Sequence, residues 1–164
     1  MKKLFITIIA ALTFSITGNA QSVYNEIRNK AKATVEDTSA NELIKQINQF
    51  KLDALDYMMI KMREQMPDST TSFLDRQAYA LNSFVNQFIR DILLNHDKSD
   101  AQQVETIKLY MDASYSNPLF NDADTELTLS YYSNSNSPTR FSLDTDWRKA
   151  LIAIESGRNG GRQQ

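Results

Sequence analysis

The sequence has no cysteine, one histidine, three prolines and four glycines in 164 residues. The missing thiol excludes a disulfide framework, a cysteine nucleophile, thiolate metal ligation and lipid attachment at a new N-terminal cysteine. A serine triad would rest on His96 alone, and no serine sits in a Gly-x-Ser-x-Gly elbow. One imidazole cannot furnish a zinc ligand set either. His96 falls at the expected end of a helix, where the negative end of the helix dipole favours it. Gly18, Gly157, Gly160 and Gly161 leave residues 21–156 without glycine. That excludes phosphate-cradling loops and dinucleotide fingerprints, and it suits helices. Long apolar runs are missing as well beyond the first 20 residues, so no later segment is expected to span a bilayer.

What is present begins with export. Lys2 and Lys3 precede an apolar run from Leu4 to Ile16, and Gly18-Asn19-Ala20 supplies the small residues that a signal peptidase accepts. The run is shorter than the roughly 20 residues a spanning helix needs. Residues 1–20 therefore read as a cleavable signal peptide. The expected product is soluble, starts at Gln21 and keeps 144 residues, with 16 basic and 20 acidic side chains and a net charge of −4. Mild acidity without a Lys/Arg cluster argues against nucleic acid and anionic membrane surfaces as partners.

The body reads as one mainly helical domain over residues 21–156, a bundle of about four helices with a small C-terminal β-hairpin and a short closing helix. Val23, Tyr24, Ile27, Ala31 and Val35 trace a first stripe. Ser39 and Glu42 form a capping box opening a second helix striped by Leu43, Ile44, Ile47, Phe50, Ala54, Leu55, Met58 and Met62, which Pro67 stops. A third follows N-cap candidates at Ser69 to Ser72, with Leu74, Ala78, Leu81, Phe84, Val85, Phe88, Ile89 and Ile92 inward. Ser99 and Gln102 box the start of a fourth, with Val104, Ile107, Met111 and Tyr115 inward and Asn117-Pro118 at its end. Then Leu127, Leu129 and Tyr131 alternate with polar residues, as do Phe141 and Leu143, about a turn-like stretch at 133–138; this period predicts an antiparallel hairpin. Asp144 or Thr145 is expected to cap a last helix carrying Trp147, Ala150, Leu151 and Ile154 on one face. Residues 157–164 read as a flexible tail, its Arg158 and Arg162 a solubilising end rather than a nucleic-acid segment.

Three stretches carry a resemblance: Asn19-Ala20-Gln21 at the processing site, Phe50-Lys-Leu-Asp-Ala-Leu-Asp-Tyr57 in the second helix, and Asp112-Ala-Ser-Tyr-Ser-Asn-Pro-Leu-Phe-Asn-Asp122. In these the chain resembles the small exported helical proteins of Bacteroidota. The resemblance implies a compartment outside the cytoplasm, periplasmic or secreted, and no particular activity.

Two clusters raise chemistry. Met58, Met59, Met62 and Met66 have the spacing of thioether ligands for Cu(I), but they share the second helix's core stripe, and methionine commonly fills irregular cores. Asp122, Asp124 and Glu126 enter the expected hairpin and Asp144 and Asp146 leave it, so all five carboxylates would meet at its open end. Opposed like charges repel, which either splays them into water or recruits a cation, and calcium suits oxygen ligands outside the cytoplasm. No EF-hand is present, since Leu127 stands where the loop glycine would be. The plainer reading makes Asp144 or Asp146 a helix cap, with Arg148 and Lys149 neutralising the rest. A glycosidase pair among these carboxylates would need a cleft. No other cofactor is expected. The function favoured by this pattern is a non-catalytic protein that binds another protein or an envelope component. The alternative is an enzyme or a ligand- or calcium-binding protein using the acidic, tyrosine-rich region 112–146.

Overall fold

The computed structural model describes residues 22–95 and 97–160, with side chains to Gly157. The expected signal peptide, His96 and residues 161–164 lie outside the described residues. Within them the chain is mainly helical, with seven α-helices. No helix among them is long and apolar enough to cross a membrane.

α1 (Val23–Glu36) opens on Ser22, whose side chain accepts from Asn25 N, and buries Tyr24, Ile27 and Ala31. It packs on α2 (Glu42–Gln65), where Arg28 forks onto Asp56 at 2.7 and 3.0 Å. The expected Ser39–Glu42 capping box is not the device that starts α2. Asn41 caps it, its side chain accepting from Leu43 N at 2.9 Å, while the Ser39 hydroxyl donates back to Asp37. The helix starts immediately after Asn41, which leaves Ser39 too far upstream for the reciprocal bonds. α2 buries the expected stripe from Ile47 to Met62 and ends before Pro67.

α3 (Thr71–Phe88) buries Leu74, Ala78, Leu81, Phe84, Val85 and Phe88 and runs on into a π-helical turn, Ile89–Leu93. α4 (Asp100–Tyr115) begins with the expected Ser99–Gln102 box. Its inward face, however, is Tyr110, Ala113 and Ser114; Val104 and Tyr115 are 65% and 53% exposed. Tyr110 is the largest apolar side chain on α4 that fits the bundle. Its ring lies edge-on to Phe84 and Phe88 and its hydroxyl donates to Asp91 at 2.6 Å.

The β-hairpin is not formed: no strand exists among the described residues. Its first half is two helical turns, α5 (Thr125–Thr128) and α6 (Ser130–Ser133). The Asp124 side chain accepts from Leu127 N and nucleates the first of them, so Thr128 turns inward while Leu127 is left 45% exposed. Its second half is irregular chain, bent at residues 143–144 and sunk into the bundle, joined to the first by a Leu143 N to Thr128 O bond of 2.9 Å. There Phe141 is fully buried, its ring edge-on to Phe50, Phe84 and Phe88 at 5.6, 5.2 and 5.1 Å. One aromatic hub is thus sealed between α2 and α3, whereas a two-stranded ribbon is marginal on its own.

α7 (Trp147–Gly160) closes the bundle against α3 and α4, with Trp147, Ala150 and Ile154 buried. Its cap is Asp146 rather than Asp144 or Thr145: Lys149 N donates to the Asp146 carboxylate and Ala150 N to its carbonyl.

Candidate binding groove

The five carboxylates singled out in the sequence are dispersed over separate structural tasks. Asp122 accepts from the Tyr57 hydroxyl and from Lys61 Nζ, each at 3.0 Å. Lys61 is the main cause holding its carboxyl below the usual range. Burial, then the nearby Asp144 charge, pushes the Tyr57 phenol up, so it stays a proton donor to Asp122. Asp124 caps α5. Glu126 is exposed.

Asp144 is buried and accepts three backbone N–H groups, from Leu119, Phe120 and Asp122 at 3.0, 2.8 and 3.0 Å. It thereby holds the loop after α4, where Asn121 takes a left-handed φ of 53°. Asp146 faces α3, where it accepts from Gln77 Nε2 at 2.9 Å and pairs with Lys149. Asp122 and Asp144 are thus brought together through a backbone bond, and Asp146 is turned away. Among the described residues no group of three or more His, Asp or Glu side chains is placed to hold a metal ion.

The other sequence candidates also settle into packing. Met58 and Met62 are buried, and Met59 and Met66 pack against the core. The Tyr131 hydroxyl donates to Asp53, and Tyr132 stacks on Tyr115 at 5.2 Å.

A feature the sequence did not announce is an apolar groove of about 410 Å³ between α3 and α7 at the start of α1. Val23, Ala80 and Leu151 line it at the edge of the core, and Tyr79 and Ile152 stand beside them 54% and 58% exposed. Asp75, Arg76 and Arg148 complete the lining. Its walls are set by one buried side chain. Gln77 donates to Asp146 and its carbonyl oxygen accepts from Trp147 N at 2.9 Å, pinning the first turn of α7 beside Arg76. Asp75 accepts from Tyr24 N at 2.8 Å, which ties α1 to the same place.

Large apolar side chains at the mouth of an apolar concavity do not suit proton transfer or metal chemistry; they suit the capture of another apolar group. The groove is assembled from residues as far apart as 23 and 152, so no local motif could mark it. The one available signal was Tyr79 and Ile152 themselves, which lie off the core stripes of their helices. No family model matches the chain, and no curated protein or solved structure is significantly similar to it.

Proposed function

We propose that this chain is an exported, non-catalytic binding protein that holds an apolar segment of another protein in the groove between α3 and α7. The observation that carries the reading is the exposure of Tyr79 and Ile152 on the two walls of that groove. Exposed aromatic and aliphatic anchors beside a preformed apolar depression are the usual centre of a protein interface. The export half rests on Lys2, Lys3, the apolar run and Gly18-Asn19-Ala20.

Export is checked first. The protein recovered from its host is expected to begin at Gln21 or its pyroglutamate form by N-terminal mass spectrometry. Intact Met1 in a soluble cytoplasmic fraction would overturn it.

Binding is checked by selecting peptides from a random displayed library on the purified mature protein. Selected peptides are expected to bind a Tyr79→Ser/Ile152→Ser double variant at least about tenfold more weakly, since truncating an interface anchor typically costs about 2 kcal/mol. Both side chains are exposed, so the variant should melt as the parent does. Peptides indifferent to the double substitution would refute the groove as the binding site.

A further inference from the structure

We infer that the segment taken by this groove carries acidic residues on both sides of its apolar ones, an inference that rests on the groove being a protein-binding site. The motivation is the state of the two arginines. Arg76 projects from α3 and Arg148 from α7, so they flank the apolar lining from opposite walls. Arg148 makes no hydrogen bond or ion pair among the described residues, and Arg76 makes one long bond, 3.3 Å, to the Ser72 hydroxyl.

Four basic side chains elsewhere in the bundle are answered by acids, Arg28 by Asp56, Lys30 by Glu26, Lys61 by Asp122 and Lys149 by Asp146. The groove's own carboxylate, Asp75, is turned to the first turn of α1, where it complements the positive end of that helix. Two unanswered guanidinium groups therefore edge the groove of a chain whose net charge is −2.

A guanidinium presents a planar fork of donors that matches a carboxylate bidentately, and the apolar surface beside it excludes water and strengthens the pairing. Apolar residues of the partner would seat against Val23, Tyr79, Leu151 and Ile152. Asp or Glu side chains before and after them would reach Arg76 and Arg148. Basic or neutral flanks would leave both arginines desolvated without a counter-charge, which is how the same pair discriminates against other segments.

The test repeats the peptide selection on the parent and on an Arg76→Glu/Arg148→Glu variant. Neither arginine holds a carboxylate of the fold, and Glu in the first turn of α7 suits the helix dipole, so the variant is expected to melt as the parent does. Peptides from the parent are expected to show two or three apolar residues flanked by Asp or Glu, to bind the reversed variant about tenfold more weakly, and to weaken with added sodium chloride. The reversed variant is expected to select Lys- or Arg-flanked peptides instead. Peptides that require Tyr79 and Ile152 but have neutral or basic flanks, and ignore both salt and charge reversal, would overturn the acidic assignment and leave the groove reading standing. Peptides indifferent to Tyr79 and Ile152, or a parent protein that self-associates through this face and loses that on the Tyr79→Ser/Ile152→Ser change, would overturn both.

Discussion

Phe141→Ala is expected to destabilise the protein by about 4 kcal/mol, within the range for truncating a buried phenylalanine, whereas Leu127→Ala is expected to change stability by no more than about 0.5 kcal/mol. The asymmetry follows from packing. Phe141 has no exposed surface and meets three rings from α2 and α3, so its removal loses the transfer energy of the ring and leaves a cavity walled by aromatic side chains that cannot collapse around it. Leu127 is 45% exposed on a short helical turn. At a denaturant slope of ~2 kcal/mol/M the Phe141 variant should unfold about 2 M earlier in urea. In a two-stranded ribbon laid on the helices both residues would face the core. Comparable losses at 127 and 141 would therefore refute the buried, irregular path of residues 139–146.

The two central helices were legible because their stripes are long and self-consistent: α2 from Ile47 to Met62 and α3 from Leu74 to Phe88 bury the residues their period assigns. The Ser99–Gln102 box was legible because it is a local bond between residues three apart. Reading failed where tertiary contacts chose between local alternatives. On α4 the apolar residues are spread around the helix, so Val104 and Tyr115 offered a stripe as plausible as Tyr110, and only the rings of Phe84 and Phe88 decide between them. The alternation at Leu127, Leu129 and Tyr131 fits a strand, yet Asp124 supplies a cap that turns the same residues into helix. The acidic cluster followed from that mistaken ribbon. Once the chain bends, Asp144 serves the 119–122 backbone and Asp146 serves α7, each under a constraint from residues more than 20 positions away. The plainer capping reading of Asp146 was correct in kind. The groove, made where three helices meet, had no signature in any of them.

Lys51→Met is expected to stabilise the protein by about 1 to 3 kcal/mol at pH 7, a reversal of the usual cost of removing a hydrogen-bonded side chain. Lys51 falls one turn beyond Ile47 and one turn before Leu55 on α2, and it is 7% exposed. Its ammonium donates to the Asn82 and Asn86 carbonyl oxygens at 2.9 and 3.2 Å, without a carboxylate partner. Burial alone lowers its pKa to about 8. Below that value the amine is charged in both folded and unfolded chains, and folding bears the full desolvation cost, about 3 kcal/mol at ~1.4 kcal/mol per pH unit. Between about pH 8 and the unfolded lysine value near 10.4, the unfolded chain holds a proton that the folded chain has released. Stability contributed by this residue therefore rises with pH across that window. The phenols of Tyr57, Tyr110 and Tyr131 act oppositely, since burial raises each of them and the folded chain then keeps protons that the unfolded chain loses above about pH 10. Methionine occupies the same buried position without a charge, so the gain of Lys51→Met should shrink steadily from pH 8 and vanish near pH 10.5. Urea midpoints of parent and variant at pH 7, 8, 9 and 10 measure this directly. A difference that stays constant over that series, or a variant less stable than the parent at pH 7, would mean that Lys51 is solvated or paired in the folded protein rather than buried against two amides.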